Sequence, residues 1–153
     1  NGIGKSSILK LIIGNNINYT GRLKIVNGLK ISYVSQSTQG LKGSLKSFAR
    51  QQQVEESVFK AMLSKMGFSA TELEKNIEQM SEGQKKKVLI AKSISEAANL
   101  YIWDEPLNYI DILTKLQIEE VIIKYKPTLL LVEHDETFIK NIGAKIICLE
   151  KKH

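Results

Sequence analysis

The sequence predicts an α/β protein whose mostly parallel sheet is flanked by helices and interrupted by an inserted helical subdomain. Three features carry that prediction. The second half alternates strand-like and helix-like segments, the pattern of parallel strands joined by helical crossovers. Leu100–Trp103 is a continuous apolar run and Thr128–Glu133 a second buried strand, as expected where both faces of a sheet are covered. From Gly40 to about Gln79 the character is helical, which places the subdomain over residues 41–80 and lets it continue with the next helix to about residue 98. The remainder forms one α/β core, and 153 residues suit a single domain with room for a real hydrophobic interior.

In chain order, Lys5–Ile13 reads as a helix opening directly from a glycine-containing loop. Arg22–Val26 and Lys30–Ser35 are β-rich runs separated by Asn27-Gly28, a turn signal that predicts a hairpin. Val54, Val58, Met62 and Met66 recur at helical spacing and Gly67 follows as a stop, so these methionines read as core filler. After Ser81-Glu82-Gly83 a helix is predicted over Gln84–Ala98, with Val88, Ala91 and Ile94 on one face. Ile112–Tyr125 reads as a helix, Asp135–Ile142 as a short helix, and Ala144–Leu149 as a closing strand.

Composition narrows the class without naming a function. Hydrophobic residues make up 42% and charged residues 25%, ordinary for a globular domain, and the apolar runs are far too short to cross a bilayer. The lone Cys148 excludes an internal disulfide and fits a reducing cytoplasm, where it would fill space in the last strand. A formal charge of +6 is compatible with nucleic acid or another anionic partner. Lys85, Lys86 and Lys87 read by default as a solvated helix face.

The chain opens NGIGKSS. A phosphate-binding loop reads G-x-x-x-x-G-K-[ST], and Gly4-Lys5-Ser6 supplies its end, with Asn1, Gly2 and Ile3 as x positions. The leading glycine lies outside this sequence, so the natural N-terminus is expected to lie upstream. Backbone N–H groups of such a turn, together with a helix N-terminus, cradle phosphates; Lys5 adds charge and the Ser6 hydroxyl suits Mg²⁺. Read alone, Gly-Lys-Ser is equally compatible with an ordinary helix start. Asp104 and Glu105 follow the strand Leu100–Trp103 and sit where open α/β sheets bind ligands. Asp104 suits a magnesium site, and Glu105 is placed to polarise the water that attacks a γ-phosphate. A carboxylate pair capping the next helix would account for one acid but hardly for both.

Met80–Ile94, MSEGQKKKVLIAKSI, resembles the signature of ATP-binding cassette (ABC) ATPases, usually LSGGQ followed by a basic helix. The order of motifs is similar as well: the end of a P-loop, YVSQ with Gln36, the signature, WDEP, then LLLVEHD with His134. The resemblance implies a P-loop NTPase of the ABC type, with ATP and Mg²⁺ as cofactors. It implies that the stretch from Asn1 through Ser7 contacts nucleotide and that Gln36 senses Mg²⁺ and the attacking water. Ser81, Gly83 and Gln84 would bind the γ-phosphate of ATP held by an opposing cassette, and His134 would contact the γ-phosphate in its own site. Asp111 would lie at the interface between two cassettes. Glu82 departs from the usual glycine pair; a carboxylate aimed at a triphosphate would repel it, so Glu82 is expected to point away. A histidine is by default a core residue, but the place of His134 after a buried strand and before Asp135 reverses that.

The segment after the acids separates branches of the family. DEPLNYID keeps Pro106, Asn108 and Asp111 of the DEPTNHLD pattern of ABC-F translation factors, whereas transport cassettes resemble DEPTSALD. SEGQKKKVL, YIWDEPLNYID and VEHDETFI are more similar still to the C-terminal cassette of Gram-positive ABC-F proteins that protect ribosomes from antibiotics. That implies a cytoplasmic ATPase with a second cassette in the same intact chain and the ribosome, with its rRNA, as partner; no DNA partner is expected. The alternative is the nucleotide-binding subunit of a membrane transporter, with a membrane-spanning partner subunit, and DNA-repair relatives are a more distant one. The short stretch between Gln36 and Ser81 leaves little room for an elaborate transporter-docking surface. The 153 residues by themselves are expected to show little nucleotide binding or ATPase activity.

Overall fold

The computed structural model describes residues 4–149; Asn1, Gly2 and Ile3 of the predicted phosphate loop and residues 150–153 lie outside them. Gly4, with φ 91°, turns the chain into helix α1 (Lys5–Ile12), a left-handed conformation that glycine adopts without steric cost. Strand β1 (Ile31–Val34), strand β2 (Leu100–Asp104) and strand β3 (Leu129–Val132) form a parallel sheet in the order β1-β2-β3 among the described residues. Ile31 faces Leu100 and Val34 faces Trp103 across one ladder, while Tyr101 faces Leu129 and Asp104 faces Val132 across the other. The parallel α/β class predicted from the alternating pattern is therefore the one observed.

The hairpin predicted around Asn27-Gly28 does not form. The turn itself closes, with Leu29 N–H donating to Val26 C=O at 3.4 Å and Gly28 at φ 77°. Yet Arg22–Val26 is not a strand, and Leu23, Ile25 and Val26 are exposed. Past the turn, Lys30 is claimed by the next strand. Its C=O accepts from Asn99 N–H at 2.8 Å and its N–H donates to Asn99 Oδ1 at 3.0 Å, which directs β1 into the parallel ladder. Burial of Ser32 and Val34 under a helix outweighs the local hairpin signal.

The closing strand predicted over Ala144–Leu149 is also absent, and Ile146, Ile147 and Cys148 are exposed rather than packed. β-Propensity supplies no hydrogen-bond partner. With no ladder partner among the described residues, the segment has nothing to gain over solvation by water.

Between the strands, helices α2 (Leu45–Gln51), α3 (Glu56–Lys65) and α4 (Ala70–Leu73) each begin at a side-chain cap. Ser44 accepts from Ser47 N–H, Glu55 from the N–H groups of Ser57 and Val58, and Ser69 with Glu72 forms a reciprocal capping box. Of these, α3 packs on helix α5 (Glu82–Ser95), with α2 and α4 against α3; α5 begins two residues earlier and ends three earlier than the periodicity predicts. Phe48 and Phe59 meet with ring centroids 6.0 Å apart, and Leu63, Ile77, Val88 and Ile90 complete a core that runs on into Val34 and Trp103 of the sheet.

The C-terminal end of α5 is fixed on the sheet by buried polar contacts. Ser93 Oγ shares a 2.7 Å hydrogen bond with Ser32 Oγ and accepts from Trp103 Nε1 at 2.9 Å. Helix α6 (Ile112–Tyr125) matches the predicted span, and α7 (Glu136–Asn141) packs Phe138 into the same core. Lys115 of α6 reaches Asp135, the cap of α7, at 2.6 Å.

Candidate nucleotide site

Three loops at the C-terminal ends of the strands converge with the start of α1, the usual crevice of an open parallel sheet. Asp104 ends β2 and Glu105 follows it directly. Asp104 is 1% exposed, and its Oδ1 is buried with no hydrogen-bond partner. A buried carboxylate oxygen left unpaired is costly, and a cation or its water would satisfy it, so this residue fits a magnesium site. Among the described residues no three His, Cys, Asp or Glu side chains group around a metal position. A divalent ion here would draw most of its ligands from phosphate, water and the Ser6 hydroxyl.

Glu105 turns back into the crevice. Its φ of 49° is left-handed, a conformation a non-glycine residue holds at about 1–3 kcal/mol, and its N–H is pinned to Val132 C=O at 2.9 Å. Glu105 Oε2 accepts from Gln36 Nε2 at 2.8 Å and from Asn108 Nδ2 at 2.8 Å. Its other oxygen lies 3.7 Å from His134 Nε2, which is itself 3.3 Å from Lys5 Nζ. Gln36, Glu105, His134 and Lys5, singled out at four separate places in the sequence, thus form one cluster. Glu133 links the two strand ends behind them: its carboxylate accepts from His134 N–H at 2.7 Å and from Leu107 N–H at 3.3 Å.

Partial burial opposes ionisation of Glu105, but the Asn108 and Gln36 amides, with His134 and Lys5, outweigh it and hold the carboxyl below the usual carboxylate range. Glu105 is therefore a carboxylate at neutral pH, suited to orienting and polarising water rather than to storing a proton. Activity that needs its charge should persist as pH falls until below the usual glutamate value of 4.5. Asn108→Ala removes one donor and should raise that pKa, so the acid limb of the kcat–pH profile of the intact protein should shift to higher pH. An unmoved limb would refute the hydrogen-bond assignment.

The predicted signature residues lie apart from this cluster. Ser81 caps α5 in a reciprocal box with Gln84, whose amide donates to Glu72 at 2.7 Å. Among the described residues, no hydrogen bond or ion pair joins Ser81, Gly83 or Gln84 to Lys5, Glu105 or His134. Gly83 is required by a neighbour inside the chain: a Cβ there would lie 2.6 Å from the carbonyl oxygen of Tyr109, itself held at φ 65°. Asp111 caps α6, accepting from Thr114 N–H at 2.9 Å, and pairs with Lys87 at 2.6 Å. Burial works against ionisation of Asp111, but the Lys87 and Thr114 donors hold its carboxyl far below the usual range.

The basic run of α5 corrects the sequence expectation of a solvated face. Lys86 is 1% exposed, and Lys87 is mostly buried between Asp111 and the C=O of Met66, to which it donates at 2.7 Å. Each ammonium is buried because it finds carbonyls or a carboxylate on neighbouring elements, which no helical periodicity reveals. Asn108 was legible only as a branch marker, yet its amide stands on Glu105. Glu82 accepts from Thr38 Oγ1 and from Lys85 Nζ at 3.1 Å, so its carboxylate is engaged inside the chain.

A family profile described as ABC transporter matches residues 1–108. The "ATP-binding protein Uup" of Buchnera aphidicola subsp. Acyrthosiphon pisum is 33% identical over 99% of this chain and 27% of its own length. "ABC transporter F family member 2" of Arabidopsis thaliana is 31% identical over 96% of the chain and 23% of its own. "Ribosome protection protein VmlR" of Bacillus subtilis is 29% identical over 96% of the chain and 27% of its own. The chain therefore spans about a quarter of the length of the curated relatives it matches. A solved "ATP binding subunit of ABC transporter" superposes with a TM-score of 0.74 at 23% identity, covering 93% of this chain and 68% of that one, a likeness of fold.

Proposed function

This chain belongs to the ABC transporter family of ATP-hydrolysing cassettes, and on that premise we propose that it is a cassette of an ABC-F ATPase that works on the ribosome and protects translation from antibiotics. The observation that carries the catalytic reading is Glu105, a carboxylate held by Gln36 and Asn108 and faced by His134 and Lys5. The ribosomal reading is supported by the retained Asn108 and Asp111 of the ABC-F pattern and by relatives named as an F-family member and a ribosome protection protein. Among the described residues no helix is long and apolar enough to cross a membrane.

In this reading the residues from Asn1 to Ser7 bind the triphosphate, with the Lys5 ammonium against its oxygens. Ser6 and Asp104 would hold Mg²⁺, with Gln36 beside them, and the bound ion would supply neutralisation of the negative charge that develops on the phosphates. Glu105 orients water whose oxygen attacks the γ-phosphorus as the bridging P–O bond to the β-phosphate breaks, giving ADP and phosphate. Gln36 and Asn108 fix the carboxylate that takes up the water's proton density, and His134 faces the transferring group. Ser81, Gly83 and Gln84 serve the site of a second cassette in the intact protein, and Asp111 stands near that interface.

The test uses the intact protein. Ribosomes should stimulate its ATPase activity, and a lincosamide bound to the ribosome should be displaced in an ATP-dependent manner. An ATPase rate indifferent to ribosomes would overturn the proposed partner. Stimulation without any change in drug occupancy would overturn the protective role while leaving the ribosome in place.

A further inference from the structure

We propose that Glu82 and Lys86 are positioning residues that clamp the Gln36 segment to the signature helix, so that the turn at Ser81–Gly83 and the catalytic amide of Gln36 move as one unit. This rests on the ATPase reading and adds to it two residues of the signature stretch to which the motif pattern assigns no role. Glu82 and Lys86 stand one helical turn apart on α5, where i and i+4 side chains share a face. Both reach the segment that leaves β1. Lys86 Nζ donates to Ser35 C=O and to Gln36 C=O, each at 2.9 Å, and Glu82 accepts from the hydroxyl of buried Thr38. The two contacts bracket Gln36, whose side chain then donates to Glu105 at 2.8 Å.

Burying an ammonium is expensive, and desolvation pushes the Lys86 pKa down even with Asp104, Glu105 and Glu133 nearby. A residue needed only to fill this place could be apolar, because an apolar chain of similar volume would be buried without an ammonium's desolvation cost. What an apolar residue would lose is the grip on two carbonyls. Glu82 has the same logic: a glycine at 82 would satisfy the usual signature but leave Thr38 without its acceptor. Because Ser81 caps α5, an anion seated at that turn is tied through Glu82 and Lys86 to the amide that orients Glu105.

The experiment is steady-state ATPase kinetics of the intact protein, paired with amide hydrogen exchange over residues 35–39. Lys86→Met and Glu82→Gly should each lower kcat about 10- to 100-fold, the range a small misplacement of a catalytic group produces, with little change in KM for ATP. The double variant should fall no further than the worse single variant, since both act on one segment. Lys86→Arg, which keeps donors in reach, should restore most of kcat. Exchange at 35–39 should accelerate in Lys86→Met while the thermal midpoint stays close to wild type. A wild-type kcat, an effect confined to KM, or a loss of kcat that tracks a collapse of the thermal midpoint would each overturn the clamp. If the wild-type protein hydrolyses no ATP, the ATPase reading fails, and exchange at 35–39 still decides whether the clamp exists.

Discussion

Glu105→Gln in the intact protein should leave ATP binding in place and lower kcat by about 10²–10⁴-fold, the range that a positioned acid–base group contributes. The variant keeps the size of the side chain and its place at the left-handed turn after β2. It removes the charge on which Gln36, Asn108, His134 and Lys5 converge. Gln36 and Asn108 donate to Glu105 Oε2, so an amide nitrogen presented there would oppose two donors, and the carboxamide must turn its oxygen to them. Nucleotide affinity depends on the phosphate loop and Lys5 and should change little. With binding intact and turnover blocked, the protein should accumulate on ribosomes in the presence of ATP. Turnover at the wild-type rate in a single-turnover phosphate-release assay would sink the role assigned to Glu105.

Phe59→Ala should cost about 3–5 kcal/mol of stability, the usual penalty for deleting a fully buried aromatic ring. Phe59 is 0% exposed and lies where α3 meets α5, with its ring against Phe48 and with Leu63 and Ile77 in the same core. Its neighbour Val58 is 49% exposed on the other side of the same helix, and Val58→Ala should stay within about 0.5 kcal/mol. Urea denaturation of the intact protein, followed by a probe of this domain, measures both. Equal effects of the two substitutions would mean that the α3 core described here is wrong. Loosening this core should also disturb α5 and hence the segment at Gln36, so Phe59→Ala should lose activity at a temperature below its unfolding midpoint.

Several site residues were legible because motifs name types of atom in a given order. Lys5, Gln36, Asp104, Glu105 and His134 could each be picked out along the chain, and four of them meet in space. Asn108 is visible in the sequence but with a different meaning, since its amide meets the Glu105 carboxylate only when the left-handed Glu105 turns the chain back on itself. Lys86 reads as solvent-facing in the sequence and is buried in the fold. Its position on the helix is ambiguous by period alone, and only the carbonyls of Ser35 and Gln36, fifty residues away in sequence, make its burial tolerable.

Strand prediction shows the same division from the other side. Arg22–Val26 and Ala144–Leu149 have the composition of strands and form none, whereas Ile31–Val34, Leu100–Asp104 and Leu129–Val132 pair with one another. The sequence by itself determined what each segment is able to do: helix periods, caps, apolar runs, and the order in which the acids, the glutamine and the histidine arrive. Those properties reside in side chains within a few residues of one another. The tertiary structure alone decided which strands found partners, which lysines were buried, and which amides came to stand on Glu105. A ladder hydrogen bond or a buried charge is stabilised by groups distant in sequence, and only the folded chain brings them within reach.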